Sequence, residues 1–212
     1  MSYAVKEMFY TLQGEGMNAG RPAVFCRFAG CNLWSGRRGD AGSADCARWC
    51  DTDFIGTGGS GGGRFETAEK LAQAVRGLWP EGQGARPFMV FTGGEPALQL
   101  DAAAIEAVHA RGFEIAVETN GTRPLPDRID WICVSPKAGS TVVVRSGDEL
   151  KVVYPHGGID PTQFTSWDFR HFILQPLDGP DRERSAQEAV RFCLEHPRWR
   201  LGLQTHKALG LR

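Results

Sequence analysis

Three cysteines in the first quarter of the chain lie close enough in sequence to hold a metal centre. Fourteen residues separate Cys31 from Cys46, and three separate Cys46 from Cys50. A structural zinc ion takes four protein ligands, so three thiolates alone would leave one metal position open. The spacing therefore indicates a catalytic metal, or an iron–sulfur cluster whose remaining iron binds another molecule.

A glycine pair after a short strand narrows this choice. Residues 88–92 form an apolar run that predicts a buried strand, and Thr92-Gly93-Gly94-Glu95-Pro96 closes it. Taken alone, the Cys46–Cys50 spacing also fits a zinc site completed by a histidine, or cysteines that are neighbours by chance. A zinc site does not require the glycine pair, so its presence favours the iron–sulfur cluster. The other cysteines lie in apolar stretches and are predicted to be small buried hydrophobes: Cys26, Cys133 and Cys193.

Length and composition exclude several classes of protein. The chain has 212 residues, a formal net charge of −1 and 42% hydrophobic residues, without a run long enough to span a bilayer. Interspersed charges give no footprint for nucleic acid, and the N-terminus lacks the apolar core of a signal peptide. We expect a cytoplasmic protein with no nucleic-acid or membrane partner. Residues 1–212 are expected to form one core domain, with residues 31–63 as an elaborated loop around the cysteines.

Strands and helices alternate along the rest of the chain. Helical spacing of apolar residues begins after Thr67 and stops at Pro80; a second helix follows Asp101, and a third covers residues 185–195. Strands are predicted over residues 23–28, 88–92, 114–118, 131–135, 149–153, 171–175 and 200–204. This order predicts an α/β fold, an incomplete TIM-like barrel with about six mostly parallel strands and three main helices.

Four candidate site residues share one position in this fold. Thr92, Glu118, Ser135 and Gln175 each fall at the carboxyl end of a predicted strand. Because the carboxyl ends of parallel strands meet at one edge, and that edge carries the site in such folds, we expect these side chains to converge.

The chain resembles radical SAM enzymes and, more closely, the 7-carboxy-7-deazaguanine synthase family, over nearly its whole length. The matching segments are Phe9-Tyr10-Thr11-Leu12-Gln13-Gly14-Glu15-Gly16, Phe28-Ala29-Gly30-Cys31-Asn32-Leu33-Trp34, Cys50-Asp51-Thr52-Asp53, Thr92-Gly93-Gly94-Glu95-Pro96, Glu118-Thr119-Asn120-Gly121, Ser135-Pro136-Lys137, Gln175-Pro176-Leu177-Asp178 and Gln204-Thr205-His206-Lys207. One departure is the third residue between Cys46 and Cys50, where the family usually keeps two; we expect a local backbone bulge to absorb it.

The resemblance implies a 4Fe-4S cluster on the three cysteines, with the fourth iron binding S-adenosylmethionine (SAM). The implied SAM contacts are Gly93, Gly94, Glu118, Asn120, Ser135, Pro136, Lys137, Gln175, Pro176, Leu177 and Asp178. Gly93 and Gly94 suit close backbone contact because they lack a Cβ. Thr52 is the implied ligand of Mg²⁺, although a helix-cap or turn role is the commoner one for a threonine.

The implied substrate is 6-carboxy-5,6,7,8-tetrahydropterin, which would be converted to 7-carboxy-7-deazaguanine with loss of ammonia while SAM is regenerated. Its implied contacts are Leu12, Gln13, Gly14, Glu15, Arg27, Thr92, His206 and Arg212. Arg27 could grip the substrate carboxylate, and Glu15 could accept from ring N–H groups. A surface arginine, a solvated glutamate and a packing histidine are the ordinary alternatives for Arg27, Glu15 and His206.

The resemblance further implies a homodimer and an electron donor such as flavodoxin or ferredoxin. Two other functions stay open from the residues. One is a radical SAM activating enzyme that acts on a protein glycine, and the other is a non-catalytic zinc-binding module.

Overall fold

The structure is a computed structural model that describes residues 2–82 and 84–211. These residues form one sheet of nine strands. Met1, Gln83 and Arg212 lie outside the described residues. The predicted contact of Arg212 with the substrate therefore also lies outside them. The strands are β1 Tyr3–Leu12, β2 Pro22–Phe28, β3 Gly63–Phe65, β4 Phe88–Gly93, β5 Glu114–Thr119, β6 Trp131–Val134, β7 Ser146–Tyr154, β8 Asp168–Pro176 and β9 Trp199–Leu201. The helices are α1 Ala68–Leu78, α2 Ala102–His109, α3 Arg182–Glu195 and α4 Thr205–Leu209.

The strand order is β3-β1-β2-β4-β5-β6-β7-β8-β9. From β2 onward each pair is parallel, whereas β1 runs antiparallel to both β2 and β3. The sheet stays open between β3 and β9 in the described residues, which confirms the predicted α/β fold with a partial barrel. The three main helices are also confirmed, and the parallel strands number seven.

Each strand sends alternate side chains to opposite faces of the sheet. The outer face packs against the helices, where the largest core cluster joins strand residues such as Phe91 and Val117 to Leu71 of α1 and Ile105 of α2. A second cluster joins β7 and β8 to Ala189 of α3. These residues lose nearly all contact with water, and such apolar burial is the main stabilising contribution to a fold of this kind.

The inner face changes character along the strands. At the amino ends it is apolar, with Ala23, Phe25, Phe88, Val90 and Ala116 in one cluster. Two residues further along each of these strands, the same face carries the polar side chains of Arg27, Thr92 and Glu118. The two-residue period therefore builds a packed floor with a polar site above it at the carboxyl edge.

Thr67 and Asp101, which directly precede the first two predicted helices, cap these helices. The Thr67 side chain accepts from the Lys70 backbone N–H, and Asp101 accepts from that of Ala104 at 2.9 Å. Asp101 also accepts from the Tyr3 hydroxyl at 2.7 Å, which ties the start of α2 to β1. These hydrogen bonds satisfy backbone donors that have no partner within the first turn of each helix.

The end of the last strand needs correction, and two strands were missed. The last strand, predicted over residues 200–204, ends at Leu201, because the chain then turns toward the cavity and Thr205 donates to the Gly14 carbonyl at 2.9 Å. β1 and β3 were not predicted. No helix in the described part of the chain is long and apolar enough to cross a membrane.

Candidate functional site

A cavity of about 480 Å³ opens at the carboxyl edge of the parallel strands. Thr92, Glu118, Ser135 and Gln175 all line it, as the strand positions predict. The loop after β2 contributes the cysteines to the same cavity, and the turn after β1 contributes the residues around Gln13. One site therefore collects side chains from most strands of the sheet.

The three cysteines lie in the loop between β2 and β3 and line this cavity as free thiols. The extra residue before Cys50 is absorbed by a helical turn and not by a bulge. The Cys46 carbonyl accepts from the Trp49 N–H at 3.2 Å and from the Cys50 N–H at 2.8 Å. A turn closed by an i to i+4 hydrogen bond brings both cysteines to the same side of the segment.

The thiols interact electrostatically. Burial raises the pKa of Cys46 to about 11, Lys137 opposes this rise, and charge on Cys50 and Cys31 adds to it. Burial also raises the pKa of Cys31. A bound metal centre would deprotonate these thiols, because metal binding stabilises the thiolate form.

The arrangement of the three cysteines is not that of a site for a single metal ion. No group of three or more His, Cys, Asp or Glu side chains among residues 2–82 and 84–211 converges on a position suited to a single metal ion. Zinc requires such convergence, whereas an iron–sulfur cluster distributes its cysteines over different irons. The donor set, three free thiols around one cavity, therefore fits a cluster better than zinc.

The chain's own backbone leaves no room for a side chain at Gly93 or Gly94. A Cβ on Gly94 would lie 2.2 Å from the Gly30 carbonyl oxygen and 2.8 Å from Cβ of Cys31. Gly93 has a φ of 143°, and a Cβ there would lie 2.4 Å from the Phe28 carbonyl oxygen. The glycine pair thus lets the end of β4 pass directly beside the first cysteine.

Glu95 fixes the position of this segment. Its side chain is fully buried and accepts hydrogen bonds from the Thr119 hydroxyl at 2.6 Å and from the backbone N–H groups of Asn120 and Ala97. Burial raises the pKa of Glu95, and these hydrogen bonds oppose the rise. These hydrogen bonds therefore tie the end of β4 to the end of β5, which Asn120 directly follows.

The side chains predicted to contact SAM form one wall of the cavity. Lys137 donates to the Ser135 hydroxyl at 2.7 Å, and the Asn120 amide donates to Asn32 at 3.1 Å. Oε1 of Gln175 is buried and accepts no hydrogen bond within the described residues, so a ligand could satisfy it. These polar groups fit the amino, carboxylate and hydroxyl groups of SAM.

The side chains predicted to contact the substrate line another part of the cavity, here called the substrate wall. Arg27 donates from Nε to Glu7 at 2.9 Å, which directs its two terminal nitrogens away from the Nε contact; within residues 2–82 and 84–211 they donate no further side-chain hydrogen bond. His206 packs on Gly14, where a Cβ would lie 2.2 Å from the imidazole Nδ1. His206 is therefore both a packing residue and part of the cavity lining.

The C-terminal segment holds the two walls together. Gln204 donates to Glu15 at 2.8 Å, and Thr205 donates to the Gly14 carbonyl through its hydroxyl at 3.0 Å. Lys207 pairs with Asp51, next to the last cysteine, and with Asp178 after β8. Residues 204–207 thus join the substrate wall to the cysteine loop and to the segment that follows β8.

With two exceptions, the predicted site residues line this one cavity. Pro136 is buried but lies outside the lining, and Arg212 is outside the described residues. Which ligand each residue binds stays a prediction.

Sequence reasoning missed Lys151, whose ammonium lies 2.5 Å from Glu15 and 3.5 Å from Glu118. Its position inside a predicted strand of the sheet could have pointed to it, because lysines in a protein interior are rare unless they are paired.

Comparison with known proteins places these observations in context. No protein-family model matches the chain. A protein of Caulobacter vibrioides named 7-carboxy-7-deazaguanine synthase is 61% identical over 211 residues, and one of that name from Burkholderia multivorans is 57% identical; each alignment covers 100% of both chains. The crystal structure of QueE from Escherichia coli superimposes with a TM-score of 0.72 at 29% identity, covering 97% of this chain and 95% of that one.

Proposed function

Because the chain belongs to the 7-carboxy-7-deazaguanine synthase family, we propose that the cavity at the carboxyl edge of its sheet is the active site for this family's ring contraction. The enzyme is a radical SAM lyase of queuosine precursor biosynthesis, which converts 6-carboxy-5,6,7,8-tetrahydropterin to 7-carboxy-7-deazaguanine with loss of ammonia. The observation that carries the proposal is that the three cysteines, the glycine pair and the predicted substrate residues line one cavity.

The 4Fe-4S cluster would be held by Cys31, Cys46 and Cys50, and SAM by the wall that includes Asn120, Ser135 and Gln175. When bound, the reduced cluster and SAM supply the hydrogen abstraction that starts the rearrangement. The protein itself binds and orients. The fixed hydrogen bonds of Glu95 hold the glycine pair and the first cysteine in register, which is the kind of preorganisation that a reactive site needs.

On the substrate wall, Arg27 would bind the pterin carboxylate through its terminal nitrogens, since a guanidinium matches a carboxylate with two parallel hydrogen bonds. Glu15 would accept from ring N–H groups, because an ionised carboxylate only accepts. The segment from Gln204 to Lys207 would cover the cavity and restrict water, through its hydrogen bonds to Glu15 and the Gly14 carbonyl.

Anaerobic turnover tests this function. Purified protein with a reconstituted cluster is incubated with SAM, dithionite, Mg²⁺ and carboxytetrahydropterin, and the product is followed by ultraviolet absorbance and mass. The expected result is 7-carboxy-7-deazaguanine with SAM regenerated. A modified glycine on an added protein would instead support the activating enzyme, and colourless protein with bound zinc would support the zinc-binding module.

We propose that Mg²⁺ binds at Thr52, which lines the cavity two residues after Cys50. Mg²⁺ prefers oxygen ligands and keeps several waters, so one threonine hydroxyl together with substrate oxygens suffices. Thr52→Ala should raise the Mg²⁺ concentration needed for half-maximal turnover on the order of tenfold, while SAM cleavage without substrate continues. Thr57→Ala, in the same loop but outside the cavity lining, is the control; a loss of SAM cleavage in Thr52→Ala would contradict the assignment.

We also propose that the electron donor is an acidic redox protein that docks on the cysteine loop. Three exposed arginines of this loop, Arg37, Arg38 and Arg48, make no side-chain ion pair or hydrogen bond with the described residues. Two aspartates of the loop are paired with lysines, Asp51 with Lys207 and Asp53 with Lys6, while Asp45 lies 3.3 Å from His156 and Asp40 accepts from the Ser35 N–H. The loop therefore presents unpaired positive charge beside the cluster ligands, which favours an acidic partner.

Replacing all three arginines by glutamate should lower turnover driven by reduced flavodoxin about tenfold or more at low salt. Turnover driven by dithionite, which needs no docking, should not change. Arg191→Glu on α3 is the matched control, since Arg191 is also exposed and unpaired among the described residues but lies along a helix that leads away from the carboxyl edge. Equal losses with both reductants would refute the docking surface.

We further propose a cytoplasmic homodimer. The six cysteines are free thiols, which suits a reducing compartment. Strand β9 forms an edge of the described sheet and exposes Leu201, and Leu203 follows it. An uncovered edge with exposed leucines is a surface that a second copy could cover.

A further inference from the structure

A lysine lies in the middle of the buried strand β7. Lys151 is 5% exposed, and its neighbours Leu150 and Val152 are fully buried on the outer face of the sheet. Strand alternation directs Lys151 to the inner face, where it lines the cavity. A buried ammonium is strongly unfavourable unless other groups compensate its charge, so its partners are informative.

The partners of Lys151 come from separate elements around the cavity. Nζ lies 2.5 Å from Oε2 of Glu15 and 3.5 Å from Oε1 of Glu118. Gln13 donates to the same Glu118 oxygen at 3.0 Å, and Gln204 donates to the other oxygen of Glu15 at 2.8 Å. The ammonium is therefore the centre of a network that joins the turn after β1, the end of β5, strand β7 and the C-terminal segment.

One ammonium with two carboxylates leaves one negative charge at this position. Burial alone would raise the pKa of Glu15, but the nearby Lys151 charge and the hydrogen bonds from Lys151 and Gln204 lower it to about 2. Burial disfavours the charged lysine, yet Glu118 and Glu15 together raise the pKa of Lys151 well above its usual range. Glu15 thus remains an ionised acceptor beside the ammonium.

We propose that Lys151 is a positioning residue that holds the carboxyl groups of Glu15 and Glu118 as a fixed pair of acceptors for the N–H donors of the substrate's aminopyrimidinone ring. The inference rests on the proposed function, because it assigns a role toward the pterin. The proposal assigns Glu118, which the resemblance places at SAM, to the substrate instead, because Glu118 bonds to Gln13 and lies beside Lys151.

The charges on the substrate wall match the two ends of such a molecule. The pterin carboxylate suits the Arg27 cation, and the amino group and ring N–H suit a pair of carboxylates. Without Lys151, the two carboxylates would repel each other and one would take up a proton, which would turn an acceptor into a donor. Lys151 would therefore determine which way round the ring binds, and so which carbon faces SAM.

The test compares Lys151→Met and Lys151→Arg with the parent enzyme, each with a reconstituted cluster. The readouts are SAM cleavage by dithionite without pterin, and kcat and KM for the pterin between pH 6 and 8. For Lys151→Met we expect normal SAM cleavage and a KM that is about 10- to 100-fold higher, the value of a hydrogen bond to a charged group.

The pH dependence separates positioning from simple packing. In Lys151→Met, Glu15 loses the cation that lowers its pKa, so that pKa rises and the acceptor form is lost as the pH falls. KM should therefore increase further from pH 8 to pH 6. The parent should show no such trend from Glu15, whose pKa of about 2 lies far below this range. Lys151→Arg keeps the positive charge and should keep the flat profile.

Other titratable groups face this network and are present in every variant. They are Cys133 of β6, Glu149 of β7, Lys137 after β6 and His206 of α4. Because they are common to all the proteins, the difference between the KM profiles of the variant and the parent reports the removed ammonium. Lys70→Met, an exposed lysine on α1 paired with Glu66, is the control and should behave as the parent.

Three results would overturn the proposal. One is an unchanged KM in Lys151→Met with only a lower melting temperature, and another is an elevated KM that does not vary with pH. The third is a pH-dependent KM in Lys151→Arg, which would be the deciding result if Lys151→Met failed to fold. Failure of the proposed function would look different, because the parent enzyme itself would then cleave no SAM or convert no pterin.

Discussion

Replacing Cys31 by alanine is expected to abolish reductive SAM cleavage together with product formation. The three cysteines are free and line the same cavity. Removal of one would leave a cluster with two protein ligands and two exposed irons, and metal affinity would collapse, since each thiolate is a direct ligand. Iron content, the absorbance of the reconstituted protein and 5′-deoxyadenosine formation measure the effect.

Cys193→Ala is the matched control for this variant. Cys193 lies on α3, packs at the edge of the second core cluster and does not line the cavity. It should bind iron and cleave SAM as the parent does. If Cys31→Ala retained full iron and SAM cleavage, the first cysteine would not be a cluster ligand.

Gly94→Ala is expected to cause a loss of similar size without removing any ligand. The new methyl group would lie 2.2 Å from the Gly30 carbonyl oxygen and 2.8 Å from Cβ of Cys31. The first contact is with backbone, which cannot rotate away, so the end of β4 and the first cysteine must separate. We expect low iron incorporation and little SAM cleavage in protein whose circular dichroism is close to that of the parent.

Gly77→Ala is the control for the glycine substitution. Gly77 lies in α1, and a Cβ there would meet nothing within 4 Å. Alanine favours a helix over glycine by about 1 kcal/mol, so this variant should be as active as the parent and slightly more stable. A Gly94→Ala protein with normal iron content would show that the loop tolerates movement of Cys31.

Much of the fold could be predicted from local patterns, and the missed elements show why the rest could not. In β1, the pairing register with β2 shifts between Val5 and Glu7, and this irregularity breaks the alternation by which a strand is recognised. Strand β3 follows a glycine-rich segment that looks flexible by composition. Hydrogen bonds to distant residues order this segment, for example from the Met8 N–H to the Ser60 carbonyl at 2.8 Å.

The site was predictable wherever it depends on the position of a strand end. Thr92, Glu118, Ser135 and Gln175 converge because parallel strands end at one edge. The role of Lys151 was not predictable in this way. Its partner Glu15 is 136 positions away in sequence, and only the folded sheet shows that the two side chains meet.

The central claim is that three cysteines of the early loop hold a 4Fe-4S cluster with one iron open to SAM. The most direct measurement is electron paramagnetic resonance of the reduced protein, with iron and zinc analysis, after anaerobic reconstitution. We predict about four irons per chain and a cluster signal that changes when SAM is added. No cluster signal, together with stoichiometric zinc, would contradict the claim.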